Sequence, residues 1–154
     1  MEKKILIVYH SEKQHTMFMA INIQQSLESL GVNVDVKNIE RCDPGEMVGY
    51  DGVILGSPTY FSNMSWQLKK FIDDSASLRV DGFPLEGRVC GCFTSSGSRE
   101  DGLSCVNMIE VAFKLHHKMN VVKGIVAESY ESEDKIVQIC HEYSREIFQQ
   151  MENS

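Results

Sequence analysis

Short runs of consecutive apolar residues alternate along this chain with longer segments in which apolar residues recur every three or four positions. The apolar runs predict strands buried on both faces, and they lie at 4–9, 52–55, 89–94 and 121–127. One further segment, 32–36, alternates apolar and polar residues. That pattern is typical of an edge strand with one face in water.

The helical periodicity occurs in four segments, at about 16–30, 63–77, 103–117 and 133–151. Asn63 is a candidate cap for the second of these helices, since Asn is favoured at helix starts. The connection 38–51 is too short for a full helix with its loops, and we expect a single turn there, at the turn signal Asp43-Pro44-Gly45.

Five strands alternating with four helices predict an α/β fold, in which a parallel sheet carries helices on both faces as a three-layer sandwich. We expect one domain over 1–154. A five-stranded order of 2-1-3-4-5 places the alternating strand 32–36 at an edge. It also brings the segments that follow the first, third and fourth strands to one mouth, where ligands bind in sheets of this type.

Composition narrows the classes of function. The formal net charge of −7 argues against nucleic acid, because its binders depend on clustered Lys and Arg. No apolar run approaches the ~20 residues of a membrane-spanning helix. The apolar run near the start is too short for a signal peptide, so a cytoplasmic protein is expected. The five cysteines show no metal-like spacing, and Cys90 and Cys92 are expected to be small core residues on one side of a strand.

The first polar segment, 10–17, joins a strand to a helix start. Backbone N–H groups at a helix N-terminus have no partners within the helix, and with the helix dipole they form an anion site. Ser11 and Thr16 add hydroxyl donors and His15 adds an imidazole. A phosphate group is the natural occupant, although plain helix capping explains the same hydroxyls.

The second polar segment, 57–64, contains the adjacent aromatics Tyr60 and Phe61. Two aromatics at a strand end are exposed unless something flat lies on them, and a flavin ring is such a surface. We expect one of the two to pack into the core instead.

The third polar segment, 94–102, has small residues that allow backbone N–H groups to approach a ligand edge closely. Donors of this kind stabilise the negative charge of a reduced flavin. Arg99 either reaches a phosphate or is solvated. Glu100 and Asp101 are expected to be the N-terminal acids of the next helix.

Together the three segments resemble the flavodoxin superfamily, and in particular the flavodoxin-like NAD(P)H:quinone oxidoreductases of the tryptophan-repressor-binding-protein family. The resemblance covers most of the chain. It rests on Tyr9-x-Ser11-x-x-x-His15, on Gly56-Ser57-Pro58-Thr59-Tyr60-Phe61-x-Asn63-Met64-Ser65, on Phe93-Thr94-Ser95-Ser96-Gly97-Ser98 and on His116-His117-x-Met119.

The resemblance implies a flavodoxin-like fold that binds FMN, with no metal. It assigns the phosphate to Ser11, Lys13, Gln14, His15 and Thr16. It assigns the isoalloxazine ring to Pro58, Thr59, Tyr60, Phe61, Ser95, Ser96, Gly97 and Ser98, and it places His117 near the flavin. The residues alone favour a helix C-terminal cation at His117. This chain has Gln14 where the family usually has glycine, and Arg99-Glu100-Asp101 where the reductases continue with glycines.

Two functions remain open. One is an enzyme that passes hydride from NAD(P)H to FMN and then to a quinone or similar acceptor. The other is a flavodoxin-type carrier that relays electrons between redox partner proteins. No side chain stands out as a catalytic acid or base. The resemblance also implies a homo-oligomer, and Trp66 is a candidate for its contact. Response-regulator receivers and low-molecular-weight tyrosine phosphatases share the architecture, but their acidic and Cys-x5-Arg motifs are missing from the required positions.

Overall fold

The computed structural model describes residues 2–154; Met1, where the predicted domain begins, lies outside the described residues. The strands are β1 (Lys4–Tyr9), β2 (Asn33–Asn38), β3 (Gly52–Tyr60), β4 (Asn63–Met64), β5 (Val89–Ser96), β6 (Asn120–Val121) and β7 (Ile125–Glu128). The helices are α1 (His15–Ser29), α2 (Trp66–Asp74), α3 (Arg99–Val111) and α4 (Glu133–Glu152). Short 3-10 helices span Ile39–Arg41, Pro44–Gly49 and Ser75–Arg79, and a π-helical turn, Ala112–His116, continues α3.

The main strands form one parallel sheet in the order β2-β1-β3-β5, and β5 pairs on its far side with both β6 and β7. The predicted order 2-1-3-4-5 is confirmed, with the fifth strand divided in two. The division lies between Val121 and Ile125 and includes Gly124. The backbone at Gly124 packs closely against β5, since an added Cβ would lie 2.6 Å from the sulfur of Cys92. The alternating strand β2 pairs with β1 alone, at the edge.

Successive residues of the buried strands face opposite helix layers. Leu6, Leu55 and Cys92 belong to the core that lies against α2 and α3. Ile54 and Phe93 belong to the core against α1 and α4. Cys90 packs in the same core as Cys92, as the spacing predicts. This three-layer arrangement leaves the carboxyl edge of the sheet free to form a site.

The second helix begins later than its apolar periodicity predicts. The predicted start, Asn63, lies in β4, which pairs antiparallel with the end of β3. The helix cap is Ser65, whose hydroxyl accepts from the N–H of Leu68 at 3.3 Å. The hydroxyl of Ser57 accepts from the N–H of Ser65 at 2.9 Å and so holds the hairpin against the strand.

The connection 38–51 also differs from the expectation, because it contains two 3-10 helices and not a single turn. Asp43 and Glu46 form a reciprocal capping box at the start of the second one. Within residues 2–154, no helix combines the length and the apolar character needed to span a membrane.

Candidate functional site

A concave pocket opens where the carboxyl ends of β1, β3, β5 and β7 meet. Its volume is about 220 Å³. It is lined by Ser11, Glu12, Lys13, His15, Thr16, Pro58, Thr59, Tyr60, Ser95, Ser96, Gly97 and Ser129. An adjoining pocket of about 360 Å³ shares Lys13, His15, Ser95 and Ser129 with it and is also lined by Gln14. The structure therefore brings the three polar segments together at one mouth.

The first segment turns sharply into α1 at Gln14. This residue is the N-cap of the helix and has a φ of 65°, a left-handed conformation that glycine adopts without strain. Its side chain makes no capping hydrogen bond, and the first turn of α1 carries no acidic residue. The start of α1 therefore leaves its positive dipole end and the N–H groups of His15 and Thr16 available to an anion.

A hydrogen bond joins the first segment to the third. The hydroxyl oxygens of Thr16 and Ser95 lie 3.1 Å apart, and Thr16 is buried. Ser11 accepts weakly from the N–H of Met17 at 3.4 Å. These bonds set the start of α1 against the end of β5, so that hydroxyls from both elements line one wall.

The second segment is a tight hairpin between β3 and β4. Phe61 and Ser62 both have positive φ, of 49° and 66°, as a type I′ turn requires. Phe61 is fully exposed at the tip, and Tyr60 is 39% exposed. The expectation that one of the two packs into the core is wrong, because the turn projects both beyond the sheet. Of the two, only Tyr60 lines the pocket.

The third segment is shorter than predicted, because Ser95 and Ser96 belong to β5 and α3 begins at Arg99. The hydroxyl of Ser96 donates to the carbonyl of Ser98 at 2.6 Å and accepts from the N–H of Ser98 at 3.2 Å. Ser98 caps α3 by accepting from the N–H of Asp101. Ser98 is therefore a capping residue that does not line the pocket, and Gly97 is the exposed residue left at its rim.

Glu12 lines the pocket and was not predicted. Its Oε2 accepts from the hydroxyl of Tyr60 at 2.9 Å, and its Oε1 lies 3.3 Å from Nε2 of the buried His10. The hydrogen bonds to Tyr60 and His10 lower the pKa of Glu12. Partial burial and then the bond to Glu12 raise the pKa of Tyr60. The carboxylate thus faces the hairpin side of the pocket and not the helix start.

Ser129 also lines the pocket without having been predicted. It follows β7, and its N–H donates to the carbonyl of Ser96 at 2.8 Å. The rule that ligands bind beyond the carboxyl ends of strands applies to the last strand as much as to the others. That rule could have found Ser129.

The structure does not bring His117 to this pocket. The residues from Arg99 to His117 run as α3 and its π-helical turn, and a helix of that length extends roughly 25 Å. His117 therefore lies toward the amino ends of the strands, near the start of β6. It is buried there, stacked on Phe113, with Nε2 2.8 Å from the hydroxyl of Ser75.

Over residues 2–154, no group of three or more His, Cys, Asp or Glu side chains is arranged to hold a metal ion.

Comparisons of this chain with protein families and with individual proteins all lead to flavodoxin-like proteins. The family model for NADPH-dependent FMN reductases matches residues 45–133, and a flavodoxin-domain model matches residues 6–81. A flavodoxin from Clostridium saccharobutylicum is 34% identical over 128 residues, covering 82% of this chain and 72% of the relative. An NAD(P)H dehydrogenase (quinone) from Cupriavidus metallidurans is 27% identical over 139 residues, covering 77% and 69%.

A solved structure of a flavodoxin, WrbA-like protein from Agrobacterium tumefaciens superposes with a TM-score of 0.84 at 23% identity, and covers 99% of both chains. That likeness concerns the fold. The reductase model spans more than half of the chain, and the clostridial relative is matched over most of its length. The chain therefore belongs to the flavodoxin superfamily and, within it, to the family of NADPH-dependent FMN reductases.

Proposed function

We propose that this protein binds FMN at the carboxyl edge of the sheet and uses it to pass reducing equivalents from NAD(P)H to a quinone or similar small acceptor. The single observation that carries the proposal is the convergence of three loop segments on one pocket. A helix N-terminus lies at one end of that pocket, and an exposed aromatic hairpin lies at the other. The two pockets together suit a ligand of cofactor size.

The helix end of the pocket fits a phosphate group. Hydroxyls of Ser11 and Thr16, the ammonium of Lys13 and the imidazole of His15 gather at the start of α1. All of these groups can donate hydrogen bonds to phosphate oxygens. The first turn of α1 carries no carboxylate that would compete for them.

The hairpin end fits a flat ring. Pro58, Thr59 and Tyr60 form one wall, and Ser95, Ser96 and Gly97 form the other. The hydroxyls of Thr59 and Thr94 are 2.6 Å apart, which joins β3 to β5 just below the ring site. The walls are thus held at a fixed separation, and the backbone at Gly97 is left open for close approach to a ring edge.

When bound, FMN supplies the electron chemistry, because its ring accepts a hydride and returns electrons to an acceptor. The chain's own residues hold and shield it. Lys13 and His15 would hold the phosphate end, Tyr60 would lie against the ring, and the serine-glycine segment at 95–97 would offer hydrogen-bond donors to its edge. We propose no catalytic acid or base. Gln14 forms the left-handed turn before α1. Phe61, Ser98 and His117 are not part of the proposed cofactor site.

The flavodoxin from Clostridium saccharobutylicum supports a second candidate, an electron carrier without substrate turnover. An acidic chain with an exposed aromatic at the mouth of the pocket suits docking to a basic redox partner. We place the protein in the cytoplasm and propose no nucleic-acid partner. We also propose that copies of this chain assemble so that a neighbouring copy helps to enclose the flavin.

A steady-state assay separates the two functions. The FMN-loaded protein is mixed with NADPH or NADH and a benzoquinone, and oxidation of the nicotinamide is followed by absorbance. Catalytic consumption that depends on the protein supports the reductase. Nicotinamide oxidation no faster than with free FMN, together with rapid reduction of the bound FMN by a reduced redox protein, would identify the carrier instead.

A further inference from the structure

The hairpin at the mouth of the proposed flavin site is held between two carboxylates. On one side, the hydroxyl of Tyr60 donates to Oε2 of Glu12 at 2.9 Å. On the other side, the hydroxyl of Ser62 donates to Oδ1 of Asp101 at 2.5 Å. Glu12 follows β1 and Asp101 lies in α3, which follows β5, and these two strands flank β3 in the sheet. An electron acceptor that approaches the ring past the hairpin therefore meets negative charge.

No lysine or arginine side chain neutralises these carboxylates. Within residues 2–154, every ion pair of a lysine is made with another acidic residue, and arginine makes none. Glu12 has one such contact, to Nε2 of His10 at 3.3 Å, and its side chain is 55% exposed. An ionised carboxylate only accepts, so the imidazole donates and Glu12 is fixed between two donors. The hydrogen bonds from Tyr60 and then His10 lower the pKa of Glu12, which is ionised at neutral pH.

Bound FMN would leave the charge of Glu12 uncompensated. Lys13 and His15 lie at the start of α1, where the phosphate of the cofactor would take up their charge. Glu12 faces Tyr60 at the other end of the same pocket. The rest of the chain does not reverse this field, since the formal net charge is −7. A cationic acceptor is therefore attracted to the ring end, and an anionic one is repelled.

The ring end also lacks a group placed to donate a proton. Glu12 is ionised, and the hydroxyl hydrogen of Tyr60 is already donated to it. A quinone needs a hydride equivalent and one further proton to become a hydroquinone. An aromatic cation with a charged, conjugated ring nitrogen needs the hydride equivalent alone and becomes an uncharged amine. The second chemistry suits a site without a proton donor.

We propose that the preferred electron acceptor of this site is a planar aromatic cation, and that Glu12 selects it by charge. The inference rests on the proposed function, in which NAD(P)H supplies the hydride equivalent by way of the flavin. The acceptor gains two electrons and one proton, which forms a new N–H bond and removes its charge, while NAD(P)H becomes NAD(P)⁺. Because the product is uncharged, Glu12 attracts the acceptor and not the product. The acceptor is planar because it must lie against a flat ring.

The test measures binding to the FMN-loaded protein with its flavin oxidised, so that no electrons move during the titration. Calorimetry in the dark follows three probes: methylene blue, a phenothiazinium cation; phenazine, an uncharged ring system of similar shape; and anthraquinone-2-sulfonate, an anion. Glu12→Gln should weaken the binding of methylene blue by about fivefold, the effect expected of one unit charge at a solvent-exposed mouth. Phenazine should bind parent and variant equally, and the anion should bind the variant more tightly.

Two comparisons separate the charge of Glu12 from a structural role. Glu146→Gln removes the same charge from an exposed position of α4 outside the pocket, and it should bind methylene blue as the parent does. Salt at about 1 M should shrink the difference between the parent and Glu12→Gln, because it screens exposed charges. A glutamine can still accept hydrogen bonds from Tyr60 and His10, so the FMN affinity of Glu12→Gln should stay at that of the parent.

Equal affinity of methylene blue for the parent and Glu12→Gln would overturn this inference. An equal loss in Glu146→Gln would also overturn it, since the effect would then belong to net charge. The proposed function fails separately, through a protein that retains no FMN or does not oxidise NAD(P)H with a benzoquinone. A protein that does both, yet binds methylene blue independently of Glu12, keeps the proposed function and loses the inference.

Discussion

The hydroxyl of Tyr60 donates a 2.9 Å hydrogen bond to Oε2 of Glu12 and joins the loop after β1 to the hairpin after β3. Both residues line the proposed ring site. The other carboxylate oxygen of Glu12 lies 3.3 Å from Nε2 of the buried His10. A chain of three polar side chains therefore runs from the first strand to the aromatic that would cover the flavin.

This bond couples two titrations. Replacing Glu12 by Gln should lower the pKa of Tyr60, because the carboxylate and its hydrogen bond both favour the protonated phenol. Replacing Tyr60 by Phe should raise the pKa of Glu12, which loses its strongest hydrogen-bond donor. Carbon NMR of labelled Tyr and Glu side chains measures both values. Tyr130 donates to Glu128 at 2.5 Å and serves as the internal control. An unchanged pKa of Tyr60 in Glu12→Gln would show that the bond does not form in solution.

The left-handed backbone at Gln14 predicts a stabilising substitution. Gln14→Gly relieves the strain of a side chain at a φ of 65° and should raise the free energy of unfolding by up to about 1 kcal/mol. Gln14→Ala keeps the strain and should bring no such gain. Urea denaturation measures both changes. A glycine variant less stable than the alanine variant would mean that the position is not left-handed.

If Lys13 contacts the phosphate, its substitution should weaken the binding of FMN but not that of riboflavin. Lys13→Ala should weaken FMN binding by about tenfold or more, since a charge-assisted hydrogen bond to phosphate is lost. Binding of riboflavin, which lacks the phosphate, should stay unchanged. Flavin fluorescence measures both affinities, and Lys114→Ala, in the π-helical turn that follows α3 and outside the pocket lining, is the matched control. An equal loss for FMN and riboflavin would place Lys13 elsewhere than at the phosphate.

Gly56 lies so close to the ring of Phe93 that adding a side chain at this position should strongly destabilise the protein. A Cβ at Gly56 would lie 2.1 Å from the ring carbon Cζ of Phe93, which is fully buried. Gly56→Ala should therefore cost about 1–3 kcal/mol or more of unfolding free energy, because a packed core yields little. Gly49→Ala meets no atom within 4 Å and should unfold almost as the parent does. Thermal and urea unfolding compare the two, and near-equal stabilities would contradict the packing.

Periodicity predicted the parallel strands, the four helices and the edge position of β2, because buried strands and amphipathic helices follow from the residue pattern alone. It did not predict β4 or the division of the last strand into β6 and β7. It misplaced the start of α2. Met64 has the spacing of a helical core residue relative to Leu68, yet it is buried from the short strand β4. The hairpin depends on the bond between Ser57 and Ser65, which no local pattern reveals.

The strand-end rule also predicts part of the site, because it brings Ser11, Thr59 and Ser95 to one pocket. Ser129 follows the last strand and lines the same pocket, but no polar pattern in the sequence singles it out. His117 was placed by resemblance, whereas the length of α3 carries it to the other edge of the sheet. Glu12 could not be found from its neighbours in sequence, since its role depends on Tyr60, which lies 48 positions away.

Whether this protein binds FMN can be measured by titrating FMN with the flavin-free protein and following flavin fluorescence. We predict saturable quenching with one FMN per chain, because in the proposed site Tyr60 would cover the ring and the start of α1 would hold the phosphate. Fluorescence that stays at the level of free FMN, with no flavin retained after gel filtration, would contradict the account.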